Sequence, residues 1–159
     1  IYRHFESRED LFAEIFRLAT QREVDKVAEA LASDGNAAER LERALRQFAE
    51  RALKGPQMAW SLIAEPVDPK VEEERLAYRK AYANLFEKAI REGIEEGCIP
   101  DQDARQSSTC LVGAIAESLV GPLSPTQTSQ ATSTTEDNND PLVNSIICFC
   151  MQGLTGTRR

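Results

Sequence analysis

The chain has 159 residues, 42% hydrophobic and 28% charged, which is one domain's worth of material with enough apolar side chains for its own core. No window approaches the ~20 uninterrupted apolar residues of a spanning helix, and the opening IYRHFESRED lacks the basic, apolar, small-residue order of a secretory signal, so a soluble cytoplasmic protein is the expectation. The 19 Lys and Arg against 26 Asp and Glu leave a net charge of -7, which is not the basic footprint of a chain that holds nucleic acid over its whole surface.

The first long segment opens at Ser7, with Asp10 three positions on, a variant of the capping box in which the hydroxyl satisfies free backbone donors. Leu11, Phe12, Ile15, Phe16, Ala19, Val24, Val27, Ala28 and Leu31 then recur mainly at three- and four-residue steps, which predicts one amphipathic helix. Ser33-Asp34-Gly35-Asn36 stops it. A second helix spans 37–54 with Ala38, Leu41, Leu45, Phe48, Ala49 and Ala52 on one stripe, and Gly55-Pro56 ends it and starts the next.

The third helix is short, 57–65, apolar on more than one side through Met58, Trp60, Leu62 and Ile63. Asp68 can cap and Pro69 can open a long helix over 69–96, with Tyr78, Tyr82, Leu85, Phe86, Ala89, Ile90 and Ile94 inward. Gly97 is its expected left-handed terminator, followed by Ile99, able to fold back, and Pro100, which forbids continuation. A helix over 103–121, capped by Asp103, carries Glu117 as almost its only charge and reads as buried nearly all round. Residues 122–140 form a long polar loop with too little apolar content to bury anything. The last helix, 141–153, capped by Asp140, is again apolar on more than one face. No run has a strand period, so the fold class is all-α, a bundle of about six helices.

Cys98, Cys110, Cys148 and Cys150 read as reduced, small buried hydrophobes. A Cys-Phe-Cys run on a helix turns its ligands about 200° apart, which argues against a metal site there, and no cofactor is implied. The lone His4 has no partner nearby in sequence for a triad or a zinc site.

The two apolar C-terminal helices need a second partner besides their own core. Either they are central within one monomer, or two copies pair them in a four-helix bundle about a two-fold axis, with Gly113, Ala114 and Ala116 allowing close approach. Leu111, Ile115, Leu119, Leu142, Ile146, Phe149 and Cys150 are the candidate dimer-interface positions. Phe48, Met58, Trp60, Tyr78, Tyr82 and Phe86 gather on the second to fourth helices, where they form either a solid core or the lining of a pocket for a small hydrophobic ligand. Glu65 and Glu117 sit beside apolar runs, as polar anchors of such a pocket or as ordinary surface carboxylates. No carboxylate pair, phosphate loop or Ser/His/Asp set has a spacing that compels an enzymatic reading.

Ile1-Tyr2-Arg3-His4-Phe5-Glu6-Ser7-Arg8-Glu9-Asp10-Leu11 resembles the run that closes the helix-turn-helix and opens the fourth helix in TetR-type transcriptional regulators, an aliphatic-Tyr-x-His-Phe segment followed by a Ser-Arg-Glu-x-Leu cap. The segment from Leu111 to Leu119 is also similar to that family's dimerisation helix. The resemblance implies a homodimeric, ligand-responsive regulator, a repressor, of which 7–159 is the effector-binding and dimerisation domain and 1–6 the remnant of the DNA-binding module. A basic three-helix module of ~40 to 50 residues is then expected upstream of Ile1. Residue by residue it carries over Tyr2, His4 and Arg8 as contacts to operator DNA phosphates, which position the protein and read no bases. The alternative is a helical dimerisation module that holds neither DNA nor ligand.

Overall fold

In the computed structural model, which describes residues 5–128 and 139–156, seven helices follow one another: α1 (Arg8–Leu31), α2 (Ala37–Lys54), α3 (Pro56–Ile63), α4 (Pro69–Glu96), α5 (Ala104–Leu123), α6 (Pro125–Thr128) and α7 (Asp140–Thr155). The described residues contain no strand, and no helix among them is long and apolar enough to cross a membrane. The domain is all-α, as the periodicity predicts.

The helix boundaries follow from local chemistry. Ser7 accepts a hydrogen bond from the Asp10 amide at the start of α1, and Asn36 and Glu39 form a reciprocal capping box at the start of α2. Asp68 accepts from the Lys70 and Val71 amides ahead of Pro69 in the first turn of α4. Gly97 ends α4 with φ of 81°, and the amides of Cys98 and Ile99 both return to the Gly93 carbonyl. That turn presses Ile99 onto Gly93, where a Cβ would collide with the isoleucine side chain and stand 3.2 Å from Ala37 Cβ.

The helices pack around α2, which touches α1, α3, α4, α5 and α7 and buries Ala37, Ala38, Leu41, Ala44, Leu45, Ala49 and Ala52. The five alanines on that list keep side chains short where neighbours converge, so the most enclosed helix is an amphipathic one. By contrast α5 and α7 are open on one flank: Cys110, Gly113, Glu117 and Gly121 of α5 and Asn144, Ser145 and Phe149 of α7 are exposed. Hydrophobicity all round therefore does not enclose these two within the protomer.

Four expectations are corrected, three of them at element ends. The polar stretch does not start at Pro122: α5 runs through it to Leu123, which is fully buried, and α6 follows from Pro125. A proline in a final turn loses only one intrahelical bond, and burial of Leu123 outweighs it. The rest of the predicted loop, 129–138, lies outside the described residues. The cap of α7 is Asn139, not Asp140, and that helix continues past Gly153 to end at Gly156, with φ of 71°. In α1, Leu11, Phe12 and Ile15 are exposed although their spacing marks them as inward.

Candidate functional site

The inward face of α4 presents Tyr78, Tyr82 and Phe86 one turn apart, all buried. Phe48 of α2 meets Tyr82 edge-on, with ring centroids 5.4 Å apart and planes at 82°, while Phe86 stacks at 6.2 Å from the same ring. These rings do not fill the space between α2, α3 and α4. A cavity of about 190 Å³ remains, lined by Phe48, Ala52, Ala59, Leu62, Ile63 and Tyr78 and by the largely exposed Met58. A second chamber of about 30 Å³ reaches Tyr82, Phe86, Val112, Ile115 and Ala116. Phe48, Leu62, Ile63 and Tyr78 line both.

Two polar features interrupt this apolar lining. Glu23 of α1 receives both Nε and an Nη of Arg51 of α2, at 2.9 and 2.8 Å, and both residues line the larger chamber. Its hydrogen bonds to Glu23 hold the Arg51 guanidinium above its ordinary range. Deeper, the Tyr78 and Tyr82 hydroxyls share a hydrogen bond of 2.6 Å. Burial pushes both phenols far above their usual range, so both stay neutral and serve as hydrogen-bonding groups.

Arg75 fixes the wall that α3 contributes. It is 5% exposed, and its guanidinium donates to the carbonyls of Ser61, Leu62 and Glu65 at 3.0, 3.2 and 2.7 Å, capping the C-terminal end of α3. It also pairs with Glu72 and lies 5.7 Å from the centre of the Phe16 ring of α1. Arg79 adds a bond to the Ile63 carbonyl at 3.3 Å.

The predicted site residues separate into distinct places. Phe48, Met58 and Tyr78 line the larger chamber, and Tyr82 and Phe86 the smaller one, whereas Trp60 packs beside them against the core. Leu111, Ile115, Leu119, Ile146 and Cys150 are buried in the protomer's own core, Leu142 is half-buried, and Phe149 stands 69% exposed. Arg8 is exposed, with its guanidinium 5.4 Å from the centre of the Phe12 ring, while Tyr2 and His4 lie outside the described residues. Glu65 and Glu117 are exposed and line neither chamber.

Of the cysteines only Cys150 is buried, and burial pushes its thiol up to about 11; Cys110 is exposed and all four are free. Among the described residues no group of three or more His, Cys, Asp or Glu side chains could hold a metal ion.

Glu23, Arg51 and Arg75 are the charged side chains at or beside the cavity that apolar periodicity passes over. Glu23 and Arg75 nonetheless sit in inward registers: Glu23 continues the Phe16, Thr20 row towards Val27, and Arg75 lies between Val71 and Tyr78. A charged residue in such a register signals an internal ion pair or a capped carbonyl.

The helical domain thus combines an aromatic-lined cavity between α2, α3 and α4 with an open two-helix flank on α5 and α7. Residues 34–131 match the family described as Tetracyclin repressor-like, C-terminal domain, and the chain belongs to it. Among solved structures it is similar to a transcriptional regulator of the TetR/AcrR family from Thermobifida fusca YX-ER1. That likeness has a TM-score of 0.66 and 19% identity, covering 98% of this chain and 77% of the other. It is similar also to the fatty acid degradation regulator FadR from Bacillus halodurans, with a TM-score of 0.74 and 17% identity over 94% of this chain and 78% of that one. At these identities the likeness concerns the fold. A search of the curated proteins gives no significant match.

Proposed function

We propose that this chain is the effector-binding and dimerisation part of a cytoplasmic, ligand-responsive transcriptional repressor. The observation that carries the reading is the position of the cavity: its wall includes the Glu23–Arg51 pair, which ties α1 to α2. A small hydrophobic molecule entering between α2, α3 and α4 presses on that tie and so on the tilt of α1. It shifts the regulator only as far as its affinity differs between the two tilts.

The other end of α1 supports the same reading. Leu11, Phe12, Ile15 and Leu18 form one exposed apolar face, 39% to 57% exposed, with Phe5 beside it. A seat of this kind suits a DNA-reading module, and in this reading Tyr2, His4 and Arg8 are its contacts to operator phosphates. Two copies pair through the open flank of α5 and α7, with Phe149 as the central side chain and Gly113 and Gly121 allowing close approach. Such a pairing sets the spacing of two reading heads at about 34 Å, one turn of DNA, which a change in the tilt of α1 upsets. Leu111, Ile115, Leu119, Ile146 and Cys150 support the flank from beneath. No step here needs a cofactor or a catalytic group.

The test is to titrate the intact protein on operator DNA selected from a random pool, alone and with candidate effectors, and to sediment it alongside Phe149→Glu. A repressor of this kind binds a two-fold operator as a dimer and is released by an effector. The Phe149→Glu protein sediments as a monomer and loses operator binding. A wild-type protein that is monomeric at high concentration, or that binds no DNA, contradicts the reading.

A further inference from the structure

The effector-binding reading leaves the chemistry of the effector open, and the polar atoms of the cavity narrow it. We infer that the effector is a neutral molecule about the size of one substituted benzene ring, carrying a hydrogen-bond acceptor such as a carbonyl oxygen that the Tyr78–Tyr82 hydroxyl pair receives. This inference rests on the proposed effector site.

The size follows from the volume. A cavity of about 150 Å³ holds benzene, and the larger chamber measures about 190 Å³. The wall matches, being aromatic and aliphatic through Phe48, Leu62, Ile63 and Tyr78 on the way to the smaller chamber.

The acceptor follows from counting protons. Two hydroxyls carry two protons, and the bond between them uses one, whichever oxygen donates. Neither tyrosine has another hydrogen-bond partner among the described residues, so one proton of the pair is left over. Tyr78 is 7% exposed and Tyr82 4%, and Tyr78 lines both chambers. A ligand oxygen can take up that proton, and a hydrocarbon cannot.

The neutrality follows from the charges. Arg51 is already engaged by both carboxylate oxygens of Glu23, and Arg79, at the edge of the smaller chamber, is exposed and turned to the Ile63 carbonyl. An anionic head would meet Glu23 without a free cation beside it. An ammonium would lose its hydration against a mostly apolar wall whose one carboxylate, Glu23, is already paired with Arg51.

Four compounds of similar shape separate the possibilities by calorimetry on the protein: acetophenone, isopropylbenzene, and the charged pair benzoate and benzylammonium. Acetophenone is expected to bind about three- to tenfold more tightly than isopropylbenzene, the advantage of one net hydrogen bond, and both more tightly than either ion. The double variant Tyr78→Phe/Tyr82→Phe, which keeps the rings, is expected to abolish the preference for acetophenone while still binding isopropylbenzene. Single variants are unsuitable, because either remaining hydroxyl keeps a proton to donate.

Should the double variant fail to fold, carbonyl-labelled acetophenone on the unaltered protein gives the same answer, its carbonyl stretch falling on binding. Equal binding of acetophenone and isopropylbenzene, an unshifted carbonyl, or tightest binding by an ion overturns the inference and leaves the effector cavity standing. Failure of all four compounds to bind overturns both.

Discussion

The two halves of α1 share one helical period and one composition, yet the protein treats them oppositely. From Thr20 onward the inward side chains are covered: Thr20, Val27, Ala30 and Leu31 are buried, and Glu23 is tied to Arg51. Before it, Phe16 is the one large apolar side chain enclosed, held in a small separate cluster with Leu62 and Val71, while Leu11, Phe12, Ile15 and Leu18 face outward. The contrast teaches that an amphipathic stripe records how many surfaces a helix has to satisfy, without saying which of them belong to its own domain. A domain that leaves four large apolar residues in one row uncovered has a partner surface to offer.

The sharpest way to break the comparison is to truncate one residue in each half. Leu31→Ala removes a side chain from the main core and is expected to cost about 2–5 kcal/mol, whereas Ile15→Ser changes the stability of this domain by no more than about 0.5 kcal/mol. Urea unfolding of the two variants measures both, and a comparable loss from Ile15→Ser would mean that its face is already packed.

A smaller effect is expected where the halves meet. Arg75→Ala strips three carbonyls at the end of α3 of their donor and is expected to destabilise by about 1–3 kcal/mol. The loss is to be concentrated in α3 and in amide protection around Ala59 and Leu62. Uniform loss of protection over all helices would place Arg75 in the general core instead.

The smallest effect belongs to the first turn of α1, which Asp10 ties to Lys70 at the start of α4. The hydrogen bond from Lys70 holds the Asp10 carboxyl below its ordinary value, and the same bond holds the Lys70 ammonium above its own. A depressed carboxyl contributes stability above its ordinary value of about 3.9, lost as pH falls through the lower folded value. A raised ammonium contributes below about 10.4, lost as pH rises through the higher folded value. The tie is therefore whole between those limits, and amide protection in the first turn of α1 should decline on either side and under high salt, most clearly in the acid arm. Protection that is flat with pH in that turn would show that the pair holds nothing.

Much of the fold was legible because it rests on local devices: Ser7, Asp68, Gly97 and Pro69 mark helix ends by their own chemistry. The cavity was partly legible. The row Tyr78, Tyr82, Phe86 announces an inward aromatic face, but whether such a face encloses space depends on what opposes it. Here that is the small Ala52 and Ala59, which carry no periodic signal of their own. Met58 and Trp60 are neighbours of the same kind in sequence, and only the crossing of α3 over α2 decides that the first lines the chamber and the second does not. Leu111, Ile115 and Leu119 are interface candidates by sequence because α5 is apolar beyond one stripe. They face inward, and the small residues on the opposite side of the same helix, Gly113 and Gly121, are the exposed ones. The register of Glu23 hints at a partner, but a pair formed between two helices has no spacing along the chain that would name Arg51.

The claim on which the account turns is that occupancy of the cavity is felt by α1 and through it by DNA. It can be tested without knowing the effector, by measuring operator affinity of the intact protein carrying Ala59→Phe, whose ring enters a chamber of about 190 Å³. The account predicts a folded protein whose operator affinity is lowered about tenfold or more with no ligand present, a shift of about 1.4 kcal/mol. A folded Ala59→Phe protein that binds operator as tightly as the unaltered one would contradict it.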